Sequence, residues 1–156
     1  MNRNSKNPIK TVVGNTTIYN YSTTSSSRIS SFCAAAVKAA APRNNSNISN
    51  ICVFGDRDIG GISGWAFKNG TIEIHVGSRM LRKRYGDFNK KLWFILLHEI
   101  GHILDHPLDK YGPKYATGYT PEMSGLPKRQ YNKLPPEIAA NNFARKIIKN
   151  HKAPQF

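Results

Sequence analysis

The stretch Phe88-Asn-Lys-Lys-Leu-Trp-Phe-Ile-Leu-Leu-His-Glu-Ile-Gly-His-Ile-Leu104 decides how this chain is read. Leu92, Leu96, Ile100 and Ile103 recur at helical spacing, which predicts one helix over 88–104 with an apolar face turned to a core; Asp87 or Asn89 can cap its start. Inside it stands His98-Glu99-Ile100-Gly101-His102. Histidines four apart on a helix lie ~40° apart around the axis and ~6 Å apart along it, so both imidazoles can converge on one tetrahedral metal ion. Glu99 is turned ~100° from His98, which lets it stand beside the metal without ligating it and take a proton from a water molecule. Two such histidines also occur by chance as ordinary helix residues. Buried on an apolar face they need a partner, and a metal ion is the economical one. Gly101 weakens the helix, a cost that suits a place where a strand comes close to the helix backbone.

Working outward, Gly64–Phe67 and Thr71–Val76 flank Lys68-Asn69-Gly70, and Asn-Gly between two alternating runs is a strong hairpin signal. Ile51-Cys52-Val53-Phe54 is a short apolar run bounded by glycines and reads as a further strand. The alanine-rich segment Ser27–Ala41 reads as a helix stopped by Pro42, with Ser26 or Ser27 as its N-cap. Residues 1–28 are rich in Asn, Ser and Thr, with Thr11-Val12-Val13 and Thr17-Ile18-Tyr19 as the strand-like runs. They are expected to form a mobile N-terminal arm, or one ordered only against something else. The domain is expected over 29–150, with a tail at 151–156.

A metal site of this kind needs a third protein ligand and an open position for water. His106 follows His102 by four residues, but Pro107 disfavours helical geometry at the residue before it. Asp105 is nearer the opposite edge and could instead orient a histidine through its ring N–H. Glu137 is the strongest candidate. Pro135-Pro136-Glu137 opens a helix running to about Asn150, and Glu137 shares its mostly apolar face with Ala140, Asn141, Ala144 and Ile148. An acid in the first turn is also favoured by the helix dipole alone.

The order of hairpin, His-Glu-Ile-Gly-His helix and a later helix carrying Glu137-Ile-Ala-Ala-Asn-Asn-Phe-Ala144 resembles the ImmA/IrrE metallopeptidases of bacteria, mobile elements and phages, over about residues 50–150. That resemblance implies an α+β, zincin-like small domain, its short antiparallel or mixed sheet packed on the active-site helix and on a C-terminal ligand helix. It implies Zn2+ held by His98, His102 and Glu137, Glu99 as catalytic base, and a partner transcriptional repressor as substrate. His106 matches a position often filled by His in the family without being a ligand there. The last helix departs from the family, with Ile147-Ile148-Lys149-Asn150 where leucine-methionine-proline is usual. The extended metzincin pattern does not fit, since Asp105 and Leu108 stand where it requires Gly and His or Asp. The segment Asp109–Leu134, with Tyr111, Tyr115, Tyr119 and Tyr131 and several Gly and Pro, reads as a substrate lid. A tyrosine or histidine within it, Tyr111 for one, could stabilise the oxyanion of a tetrahedral intermediate.

Charge gives a second line. Lys and Arg number 23 against 9 Asp and Glu, a net charge of +14, and the densest basic cluster is Arg79, Arg82, Lys83, Arg84, Lys90 and Lys91. Such a balance favours polyanions, so a nucleic-acid contact through Arg79, Arg82, Lys83 and Arg84 stands beside the plainer reading of a solvated face. It also supports the alternative of a nucleic-acid-binding or phage accessory protein whose zinc site is structural or vestigial. A structural site is normally closed by four protein ligands, often cysteines. Cys33 and Cys52 lie far from the motif and read as free thiols in a reducing compartment. At 39% hydrophobic and a mean hydropathy of −0.49 the chain can fill one core. The Phe32–Val37 run comes too late for a secretory signal, and no apolar stretch approaches the ~20 residues of a membrane span. The expected place is the cytoplasm, that of the host cell if the chain is phage-encoded.

Overall fold

Alternating burial builds the sheet. In the computed structural model, which describes residues 7–22, 26–43, 46–56, 60–77, 87–105, 108–112 and 124–155, every second residue of the central strands is fully enclosed: Ile51 and Val53, then Ile72, Ile74 and Val76. The elements in chain order are β1 (Ile9–Val13), β2 (Thr16–Asn20), α1 (Ser26–Ala40), β3 (Asn50–Asp56), β4 (Ile62–Ala66), β5 (Thr71–Gly77), α2 (Phe88–Leu104), a 3-10 turn (Leu108–Tyr111), α3 (Lys128–Tyr131) and α4 (Pro135–Asn150). The architecture is α+β with one mixed sheet in the order β1-β2-β3-β5-β4. β2, β3 and β5 run parallel, while β1 and β4 pair antiparallel at the two edges.

The apolar face of this sheet meets α1 through Phe32, Cys33, Ala36 and Val37 and α2 through Leu92, Leu96 and Ile100, all in one core. Phe32 meets Trp93 edge to face at 5.4 Å, which locks α1 against α2. α4 packs along α2. The expected β4–β5 hairpin forms, with Gly70 at φ 84 and the Asn69 side chain accepting the Thr71 N–H at 3.0 Å.

Four expectations are corrected. Residues 9–20 are not an arm. Gly14 (φ 56) and Asn15 close a two-residue turn between β1 and β2, β2 joins β3 in parallel, and Ile18 is fully buried. Thr16 Oγ1 donates to the Ile48 carbonyl at 2.6 Å, so the domain begins before residue 29. Nor do residues 151–154 hang free, because Trp93 Nε1 donates to the His151 carbonyl at 2.9 Å and Asn89 Nδ2 to that of Pro154 at 3.2 Å. Asp87 precedes α2 without a side-chain capping bond; its carboxylate pairs with Lys91 at 3.1 Å instead. Finally, what comes close to Gly101 is helix α4, since a Cβ there would lie 3.0 Å from the Phe143 ring.

Candidate metal centre

α2 carries its histidines out of the core at the end of its apolar stripe. The helical repeat turns Leu96, Leu97 and Ile100 into the core and leaves His98 and His102 one turn apart facing α4. From α4 comes Glu137, in the first turn behind Pro135 and Pro136, which preset the helical φ at positions that have no intrahelical N–H partner to lose. Glu137 Oε2 lies 3.2 Å from His98 Nε2, Oε1 lies 3.2 Å from His102 Nε2, and the two Nε2 atoms are 3.1 Å apart. The three residues form a group able to hold a metal ion. A tetrahedral ion with bonds of ~2.05 Å has ligand edges of ~3.3 Å, close to all three spacings.

The hydrogen bonding says what belongs between them. His98 Nδ1–H donates to Asn141 Oδ1 at 2.9 Å, which in the neutral ring leaves the Nε2 lone pair aimed at the carboxylate. His102 Nδ1 is buried with no hydrogen-bond partner. Two imidazole nitrogens and a carboxylate gathered at this spacing could share a metal ion. Burial pulls the His98 proton affinity down, but the hydrogen bond to Glu137 and the charges of Glu99 and Glu137 overcome it and set the net shift upward. Burial works on Glu137 in the upward direction; the hydrogen bonds and charges of both histidines outweigh it and bring the carboxyl down to about 2.

Glu99 is buried beside the group without belonging to it. Burial raises its pKa, countered by the charges of the two histidines. Its room comes from Gly64 on edge strand β4: a Cβ there would stand 2.8 Å from Glu99 Cγ and 2.9 Å from Oε1.

The structure therefore brings together His98, Glu99, His102 and Glu137. Asp105, the exposed C-cap of α2, bonds neither metal-facing histidine ring: Asn141 takes that of His98, and His102 Nδ1 takes none. Tyr111 lies in the 3-10 turn, where slight burial and the Asp105 carboxylate raise its hydroxyl pKa. His106, Arg79, Arg82, Lys83 and Arg84 lie outside the described residues. Two contributors went unread in the sequence. Asn141 was placed on the right face of α4 but given no task, although four residues after Glu137 is the next position on that face. Gly64 stands in the interior of strand β4, a known sign that something approaches its backbone. No family model and no curated protein matches the chain. No helix among the described residues is long and apolar enough to cross a membrane.

Proposed function

We propose that this chain is a zinc-dependent metallopeptidase that cleaves peptide bonds in a protein substrate, with a partner transcriptional repressor as the substrate that the family resemblance suggests. The observation that carries this reading is the Glu137 carboxylate meeting both histidine Nε2 atoms at 3.2 Å while Glu99 stands buried alongside, outside the ligand set. Zinc held by His98, His102 and Glu137 would supply a Lewis acid for the scissile carbonyl and for a water molecule.

The chain's own groups supply the rest. Asn141 fixes the His98 ring so that Nε2 faces the metal position. Glu99, its proton affinity raised by burial, accepts the proton of the attacking water and hands it to the leaving amine. Substrate runs beside β4, an edge strand that can pair with an extended peptide and whose Gly64 backs the catalytic carboxylate. Three ligands leave a coordination position open, as catalytic rather than structural zinc sites do. Neither cysteine belongs to the group, and both are free thiols, which favours a cytoplasmic protein over one from an oxidising compartment.

The test is metal content together with Glu99→Gln. The parent should carry about one zinc per chain and cleave a confirmed substrate. Glu99→Gln should keep the zinc and lose cleavage, because the amide is nearly isosteric yet accepts no proton at neutral pH. His102→Ala and Glu137→Ala should lose both. Cleavage by Glu99→Gln at the parental rate would remove the base assignment, and a zinc-free parent after reconstitution would remove the reading altogether.

A further inference from the structure

The helix pair α2 and α4 separates charge along its length. On the helices themselves the acids lie at the metal end: Glu99 and the C-cap Asp105 on α2, and Glu137 in the first turn of α4. Beyond Glu137 no acid follows to the end of the chain, while Arg145, Lys146, Lys149 and Lys152 do, all exposed. The helices are antiparallel, as the bonds from Trp93 to His151 and from Asn89 to Pro154 require. The last turns of α4 therefore lie against the first turn of α2, where Lys90 and Lys91 are also exposed. Lys90 is ~18 Å along the helix axis from His102, and Lys149 is as far from Glu137.

Folding does not account for this pole. Cations suit the C-terminal end of α4, but the first turn of α2 has no acid and two lysines, the wrong sign for its dipole. Bringing the two helix ends together adds repulsion between them. The local acid is Asp87, whose pair with Lys91 is an exposed surface contact, 57% accessible on both sides. The large apolar side chains that stand exposed among the described residues are Ile9, Val12, Phe67 and Ile138, all on other elements or at the far end of α4. A pole of cations without an apolar anchor gives a membrane no face to insert, leaving only charge attraction to its headgroups, and gives a protein partner no buried hot spot. Regularly spaced backbone phosphates ask for nothing but charge.

We propose that the pole formed by the first turn of α2 and the last turns of α4 binds the phosphate backbone of double-stranded nucleic acid, with Lys90, Lys146, Lys149 and Lys152 as its principal contacts. Binding is independent of base sequence and sits at the opposite end of the helix pair from the metal centre, so substrate hydrolysis and nucleic-acid contact occupy separate surfaces.

The test is fluorescence anisotropy of the full chain on a 20-base-pair DNA duplex of arbitrary sequence across a salt series. The parent should bind with a log–log salt slope of about −3 to −5, as four or five neutralised phosphates give. Lys149→Glu with Lys152→Glu should weaken binding at least ~10-fold and flatten the slope by about 2. Lys10→Glu with Lys68→Glu removes the same net charge from the sheet and should change the affinity by less than about threefold. Metal content reports that the pole variant is folded, and Glu99→Gln should bind DNA like the parent, which keeps the outcome separate from the peptidase question. An equal loss in both double variants, no binding at low salt, or equally tight binding to phosphatidylglycerol vesicles or polyglutamate at matched charge would each overturn the assignment.

Discussion

At the scale of single residues, the site depends as much on a missing side chain as on those present. Gly64→Val would drive a branched side chain into the space Glu99 fills, where even a Cβ stands 2.8 Å from Glu99 Cγ. The expected outcome is retention of zinc with kcat reduced at least ~10-fold, since a misplaced base loses most of the ~100-fold or greater benefit of positioned proton transfer. Steady-state kinetics beside metal analysis checks it; unchanged kcat would mean that Glu99 has freedom to move. Asn141→Ala tests the other silent contributor. Removing the acceptor at 2.9 Å from His98 Nδ1 should lower zinc affinity about 10–100-fold in competition with a chelator, while the ligands themselves remain. The convergence of His98 and His102, with Glu99 between them, was legible because helical spacing alone dictates it. Gly64 was not, because its partner lies on another element and no local pattern names it.

At the scale of elements, α2 was read from its apolar repeat with both ends correct, and the β4–β5 hairpin from Asn69-Gly70. The element approaching Gly101 was misjudged. A glycine in a helix announces a close neighbour without saying which, and here it is Phe143 of α4, the helix that delivers Glu137. The spacing of α2 and α4 at Gly101 thus sets the reach of Glu137 toward the two histidines. Gly101→Leu should push the helices apart, lowering stability by about 1–3 kcal/mol. Zinc affinity should fall with it although no ligand is altered. A thermal melt with zinc titration reads both; lost stability at parental zinc affinity would show that Glu137 adjusts independently of the helix packing.

At the scale of the whole molecule, the sheet is wider than composition suggested, because Asn- and Ser-rich sequence hides strands whose buried residues come one at a time. Gly14-Asn15 was a hairpin signal in its own right, but its flanking runs show little apolar alternation: β1 is a largely exposed edge, and Thr16 and Asn20 are buried polar residues on β2. Thr16 reaches the Ile48 carbonyl and Asn20 Oδ1 accepts from Ser22. Such residues look like surface until their partners are known. Ile18 is the residue that separates an integral hairpin from a loose arm. It is fully enclosed between Thr16 and Asn20, paired in register with Ile51 of β3, and part of the core that holds α1 and α2. Ile18→Ala should therefore cost about 2–5 kcal/mol, the range for truncating a large aliphatic side chain in a packed core. Urea unfolding gives the value directly. The urea dependence should keep its parental slope, since the surface exposed on unfolding barely changes, and the midpoint should fall. Zinc content at low urea should stay parental, because Ile18 makes no contribution to the ligand group. A loss under about 0.5 kcal/mol, the range of ordinary surface substitutions, would return residues 9–20 to the role of an appendage and leave β3 as the true edge of the sheet.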